Sequence, residues 1–473
     1  MKSTLHAIVF PSILAIVIFG CQMPANEGTE HSLELPNIVL IVADDLGYPY
    51  AGFMGDTIVQ TPTLDKLAGM GTVFTHGMVT QSYCAPSLRA IITGLHSARY
   101  DFLSAQLQKQ LRGEKTTDLS PEDSLIWERE FQWRAMPYFH TIPEYLTQKG
   151  YVSYQGGKWW EFNYQNGGFT DGMTTGWTKE DRKGNDFFHF LMGGTGLALG
   201  RVTNQPVFDF VENNREKPFF VWWAPDLPHW PFNAGNKYLD LYQDMDLSQS
   251  ARKYYANVSW FDDALGELMA YFESEGLMEN TLFIYVNDNG WDQAPSAEYR
   301  NDSLLWHTGG PKGKGSYFDQ TFRTPLIFSW QGKTAPKYNH ELVSAIDILP
   351  TVLDYAAIDQ PAYLPGSSLR GNIEGKSATG KEYLVGNINQ LYDYQDKTFF
   401  MGKPAEGFWL RNDQYHYVWD IGNQTELLFD MKNDPANERN IASENQELIA
   451  VFKSQIHQWN ETQKVPAKPG ELE

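Results

Sequence analysis

At 473 residues the chain exceeds what one ordinary hydrophobic core organises, so a large domain with a smaller companion is expected. Hydrophobic residues at 42% and aromatics at 14% exclude a disordered polymer. The excess of 58 acids over 37 bases, a net charge of −21, argues against nucleic acid or an anionic surface as partner. Any anionic substrate has to be captured by a local basic pocket.

The first twenty residues carry Lys2 and then an apolar run from Ile8 to Phe19, interrupted only by Pro11 and Ser12. That run is short for a membrane span and has the layout of an export signal. Ile18-Phe19-Gly20-Cys21 resembles a bacterial lipoprotein cleavage box, so residues 1–20 read as a lipoprotein-type signal and 21–35 as a linker. An ordinary cleaved signal with an incidental Cys21 is the other reading. The expected address is the periplasm or an outer-membrane-anchored lipoprotein, touching the membrane only through a lipid on Cys21. Cys84 is the only other cysteine, so a lipidated protein has no intramolecular disulfide available. Such a lone residue is either a buried apolar filler or a chemical group.

Further along, short apolar runs at Asn37–Val42, Thr72–Phe74, Tyr151–Tyr154, Pro218–Trp223, Thr281–Val286 and Thr324–Phe328 predict strands. Helical spacing appears at Leu64–Ala68, Ile142–Lys149, Arg252–Ser274 and Ile348–Tyr355. This alternation predicts an α/β domain over residues 36–370, with a mostly parallel central sheet and helices on both faces. From residue 371 the segments become aromatic and polar, as at Gly407–Leu410 and Gln414–Trp419, before a helix at Asn445–Thr462. A smaller C-terminal α+β domain with an antiparallel sheet, 371–473, is expected there.

Ligands in open α/β sheets gather at the carboxyl ends of strands. The first predicted strand delivers Asp44 and Asp45 with Gly47 close behind. Two adjacent anions repel, and a hard cation with oxygen ligands relieves them; a helix cap beside a solvated carboxylate is an equal reading of that pair alone. The strand at Phe283–Val286 ends in Asp288 and Asn289, which raises the metal reading, and four oxygen donors favour Ca²⁺ or Mg²⁺ over zinc. Cys84 and Ser87 open a helical run that contains Pro86. A Cys at a helix N-terminus sits among unpaired N–H groups, which are expected to depress its pKa and to form an anion site.

Over residues 36–442 these ordered motifs resemble the sulfatase family, a branch of the alkaline-phosphatase-like fold. The resemblance implies that Asp44, Asp45, Asp288 and Asn289 hold Ca²⁺, and that Cys84 is oxidised to formylglycine by a maturation enzyme. Gly157-Lys158-Trp159 is similar to the family's Gly-Lys-Trp-His segment, Pro228-His229-Trp230-Pro231-Phe232 to its Pro-His-x-Pro-Phe segment, and Lys314 with Arg323 and Pro325 to its Lys-Gly…Arg-x-Pro element. Hydrated formylglycine would attack sulfur with one hydroxyl and expel sulfate with the other. Lys158 would support the diol, while Lys314 and His229 neutralise or protonate charge on the transferring and leaving oxygens.

Two departures touch this set. Leu88 stands where the family has the Arg read during maturation, and Arg89 follows one position later, about 100° round a helix. Trp160 replaces the His of Gly-Lys-Trp-His. Arg89, Trp160 and His307 are the candidate substrate contacts. Aromatics at Trp159–Phe162, at Leu227–Trp230 and in the insert Tyr100–Trp133 suit sugar rings or simple packing. The expected reaction is hydrolysis of a sulfate ester on a small molecule or carbohydrate. A phosphate or phosphonate ester hydrolase is the second reading, and a non-catalytic lipoprotein that binds sulfated glycans the third.

Overall fold

The computed structural model describes residues 35–111, 130, 133–178, 181, 187–291, 312–376, 380–388, 392–393, 398–399 and 407–472. These belong to one compact unit. Cys21 and His307 lie outside the described residues.

Asn37–Ala43 form β1, and all seven residues are buried. Ile38, Leu40 and Val42 enter one apolar layer while Val39, Ile41 and Ala43 enter the other, the period-two pattern of a strand covered on both faces. Around it lie β2 (Thr72–Met78), β3 (Val152–Gly157), β4 (Asp171–Gly172), β5 (Phe219–Ala224), β6 (Thr281–Asn287), β7 (Leu326–Trp330) and β8 (Lys337–Ser344). They form one eight-stranded sheet in the order β4-β3-β5-β1-β6-β7-β2-β8. Only β7 runs antiparallel to its neighbours.

The principal helices are α1 (Pro62–Met70), α2 (Cys84–Thr93), α3 (Ser97–Leu111), α4 (Ile142–Thr147), α5 (Gln205–Asn213), α6 (Gln249–Ser274) and α7 (Ile348–Tyr355). One face of the sheet is covered by α1, α5 and α6, the other by α2, α3, α4 and α7. Among the described residues no helix is long and apolar enough to cross a membrane.

The C-terminal part carries β9 (Tyr383–Ile388), the short pair β10 (Tyr392–Asp393) and β11 (Thr398–Phe399), then β12 (Gly407–Asn412), β13 (Tyr415–Asp420) and β14 (Thr425–Asp430). Strands β14-β13-β12-β9 form an antiparallel sheet in that order. The closing helix α8 (Gln446–Gln463) lays Ile449, Phe452 and Ile456 on Val385, Phe408, Leu410, Tyr417 and Leu428 of this sheet. Trp409 and Val418, on the opposite face, join the core of the main sheet. The α/β class with an added antiparallel sheet is therefore what the chain adopts. Edge strand β8 had no sequence signal, because only its last three residues are buried.

Candidate active site

Strands β3, β5, β1 and β6 are parallel neighbours, so their carboxyl ends lie side by side on one edge. Backbone bonds fasten the tips: the Asp44 N–H donates to Leu227 at 3.0 Å, Lys158 to Ala224 at 2.7 Å and Asp288 to Ala43 at 3.0 Å. Gly157 permits this approach; its φ is +91°, and a Cβ there would fall 1.9 Å from the Ala224 carbonyl oxygen. Asp45 has φ of 63°, uncommon for a residue with a side chain. Its N–H donates to Asp288 Oδ1 at 2.9 Å and its carbonyl accepts from Tyr254 at 3.0 Å, which hold that conformation.

Cys84 is the first residue of α2 and is buried. Its Sγ lies 3.6 Å from Asp44 Oδ1 and 3.7 Å from Asp45 Oδ1. Two ammonium groups converge on the same sulfur, Lys314 Nζ at 3.0 Å and Lys158 Nζ at 3.4 Å. Each is also bound to a carboxylate, Lys158 to Asp44 at 2.5 Å and Lys314 to Asp45 at 2.8 Å. Asn289 donates to Asp45 Oδ1 at 2.6 Å, which turns its own Oδ1 inward. Asp288 Oδ2 and Asn289 Oδ1 are buried and accept no hydrogen bond among the described residues.

These oxygens test whether a hard cation fits. Asp44, Asp45, Cys84 and Asp288 can each direct one ligand atom to a common region, all within 4.8 Å of one another. Three carboxylates and an amide oxygen, two of the oxygens lacking any donor, are a donor set suited to Ca²⁺ or Mg²⁺. The residues present fit such an ion.

The electrostatics follow from burial and crowding. Burial and then Asp288 push the Cys84 thiol well up, against the pull of the two lysines. The direction is opposite to the depression expected of a helix N-terminus, and its causes are desolvation and the neighbouring carboxylates. Burial and the adjacent Asp44 and Asp45 also push Asp288 well up. Burial works on Asp44 too, yet Lys158, His229 and Lys314 hold it below the usual carboxylate range. Lys158 is raised: burial opposes its charge, but Asp44 and Cys84 prevail.

The loop after β5 adds His229, whose Nε2 lies 3.7 Å from Asp45 Oδ2 and whose Nδ1 lies 3.4 Å from Asp226 Oδ1. Nδ1 also contacts the Trp230 carbonyl. Burial, with Lys158, lowers the His229 pKa, whereas burial pushes Asp226 up to about 8.

The structure thus brings together Cys84, Asp44, Asp45, Asp288, Asn289, Lys158, Lys314 and His229. Arg89 lies in a buried ion pair with Glu161, Nε to Oε1 at 2.7 Å, its guanidinium 5.5 Å from the Tyr100 ring. Leu88 enters the apolar layer beneath. Trp160 is partly buried, its ring 5.8 Å from Lys158 Nζ. Sequence reasoning missed Asp226 and its partner Arg201. Asp226 had a signal, an acid two residues beyond a fully buried strand. Arg201 had none, since it comes from a distant turn.

The family model for sulfatases matches residues 36–358, well over half of the chain. This chain belongs to the sulfatase family. A second model, the C-terminal part of N-sulphoglucosamine sulphohydrolase, matches residues 313–463. N-acetylgalactosamine-6-sulfatase of Canis lupus familiaris is 26% identical over 72% of this chain, and the match spans only 65% of that protein. The Rattus norvegicus protein of the same name is 24% identical over 92% of this chain and 87% of its own length. Among solved structures, that of Ps i-CgsB in complex with k-i-k-neocarrahexaose superposes with a TM-score of 0.67 at 23% identity, covering 91% of this sulfatase and 93% of that chain. That likeness is one of fold.

Proposed function

We propose that this sulfatase hydrolyses a sulfate ester on a carbohydrate, with a nucleophile made from Cys84. The observation that carries the reading is the seat of Cys84 at the start of α2, with two carboxylates and two ammonium groups between 3.0 and 3.7 Å of its sulfur. Conversion to formylglycine would supply a hydrate with one hydroxyl to attack sulfur and a second to release sulfate. Asp44, Asp45, Asp288 and Asn289 would hold a Ca²⁺ ion, which supplies positive charge to the nucleophile and to a sulfate oxygen.

The chain's own cations divide the remaining work by depth. The side chain of Lys158 is 1% exposed and sits against Asp44, so it steadies residue 84 from beneath. Lys314 is 10% exposed and His229 14%, so these two face the entering ester. Lys314 neutralises charge on the sulfate, and His229 protonates the leaving oxygen. Trp230, 43% exposed beside His229, offers the kind of aromatic face on which a sugar ring stacks. The names of the relatives, a galactosamine sulfatase and a protein crystallised with a neocarrahexaose, support a sugar as the leaving alcohol.

The test is the mass of the peptide spanning Cys84, taken from active protein made in its own host or beside a maturation enzyme. A formylglycine mass, lighter than cysteine, is expected, with Arg89 tolerated in its displaced position. Active protein that retains the thiol would overturn the formylglycine route. Export and lipidation belong to the same proposal: fatty-acid labelling should appear in the full chain and vanish in Cys21→Ser.

A further inference from the structure

Of the four proposed cation ligands, only Asp45 has a positive φ, 63°. That backbone angle sets the direction of its Cβ, and a return to the ordinary negative φ would swing the carboxylate away from the other ligands. Two backbone bonds hold it. The first, from its N–H to Asp288 Oδ1, depends on a group that also has to serve the cation. The second comes from outside the site. Tyr254, in the first turns of α6, donates its hydroxyl to the Asp45 carbonyl at 3.0 Å and accepts from the Gly47 N–H at 3.0 Å. One hydroxyl thus staples residues 45–47 at both ends, and Asn287 Nδ2 donates to the Leu46 carbonyl between them. The phenol ring is fixed in turn: Trp291 stacks on it with centroids 4.0 Å apart and planes at 12°, and Tyr50 stands edge-on to both rings at 5.6 and 5.5 Å. All three rings are buried. Trp291 follows the segment that carries Asp288 and Asn289, and its carbonyl accepts from the Lys314 N–H at 2.7 Å.

We propose that Tyr254 is a positioning residue for the cation site, its hydroxyl locking residues 45–47 in the conformation that aims the Asp45 carboxylate before the ion arrives. The inference rests on the reading of Asp44, Asp45, Asp288 and Asn289 as a Ca²⁺ site. Without a cation, crowded carboxylates repel one another, and the residue in the least favourable backbone conformation is the first to yield. A staple that is already closed removes that freedom, and ordering completed before binding subtracts nothing from affinity. Tyr254 is 0% exposed, so it meets no substrate, and its effect reaches the site only through the turn it holds.

The test compares Ca²⁺ affinity in wild type, Tyr254→Phe and Tyr242→Phe, by titration calorimetry on the full chain made in its own host and stripped with chelator. Tyr242 is the matched control. It is equally buried, and its hydroxyl also makes two bonds, accepting from the Gln60 N–H at 2.9 Å and meeting Ser259 Oγ at 2.5 Å, neither partner being a cation ligand. Each variant loses one hydroxyl from the core, so both should melt lower than wild type. Only Tyr254→Phe should lose Ca²⁺ affinity, with Kd rising on the order of 10- to 100-fold, while Tyr242→Phe stays within about twofold of wild type. Equal loss in both variants, or an unchanged Kd in Tyr254→Phe, overturns the assignment. If Tyr254→Phe does not fold, hydrogen exchange of the wild type decides. The Gly47 amide should be protected as strongly in chelator as in Ca²⁺, because the staple closes first; protection that arises only with Ca²⁺ overturns the assignment. A wild type that takes up no Ca²⁺ would instead overturn the cation reading of the site.

Discussion

Two buried ionic groups of this molecule differ in one respect, whether every polar atom has a partner. Arg99 and Glu471, 4% and 1% exposed, form a two-pronged pair between α3 and the chain's last residues. The remaining donors of Arg99 reach the Gln463, Val465 and Pro466 carbonyls at 3.1, 2.5 and 3.2 Å. A guanidinium has five N–H groups, and all are engaged. The group around Cys84 is assembled differently, with three carboxylates against two ammonium ions and acceptor oxygens on Asp288 and Asn289 that meet no donor among the described residues. A closed pair of the first kind can only hold structure together. An open set of the second kind is costly to bury, and a cation would complete it.

The sharpest way to break this comparison is to remove one partner from each group. Arg99→Ala leaves the buried Glu471 without its counter-charge and should cost about 3 to 5 kcal/mol of stability, with kcat unchanged in folded protein. Urea unfolding with a parallel sulfate-release assay checks both halves; a fall in kcat would mean that the clamp also shapes the site. Asp288→Asn should behave in the opposite sense. It relieves crowding among carboxylates, so in chelator the variant should melt no lower than wild type. Wild type should gain about 2.7 kcal/mol when Ca²⁺ reaches a hundredfold excess over its Kd, and the variant should gain almost none. An unchanged response to Ca²⁺ would remove Asp288 from the ligand set.

The same contrast explains what the sequence made legible. β1 announced itself through seven consecutive buried residues, and Asp44 and Asp45 were found because they stop that run. Cys84 was found because its helix begins with it. Local pattern is enough when a group's position depends on the strand or helix that carries it. It fails where two distant segments meet: Arg89 and Glu161 are 72 positions apart, and nothing around Arg89 says that it pairs there. β8 failed for another reason, since its exposed edge mixes polar and apolar residues and carries no period. Asp226 sat within reach, at the end of the strand between two whose ends had been read.

A third buried group, where the C-terminal sheet meets the main one, lies between the two extremes. Asp319 is paired with Arg411 at 3.0 Å and with Arg323 at 3.4 Å, and beside them His416 sets Nε2 at 2.9 Å from the Tyr317 carbonyl. Burial foremost, with help from Arg411 and Arg323, lowers the His416 pKa to about 4, although Asp319 pulls the other way. The unfolded chain binds a proton there near pH 6.5, and the native ring refuses it until about pH 4. The stability contributed by the neutral ring is therefore complete above about pH 6.5 and is lost as pH falls toward 4, at about 1.4 kcal/mol per pH unit. Replacing His416 with Asn removes this dependence. The stability gap between wild type and His416→Asn, from urea titrations at neutral pH and near pH 5, should narrow by about 2 kcal/mol on acidification. A gap independent of pH would show that the native ring takes its proton as readily as the unfolded chain, and that the arginines and burial at this junction do not govern it.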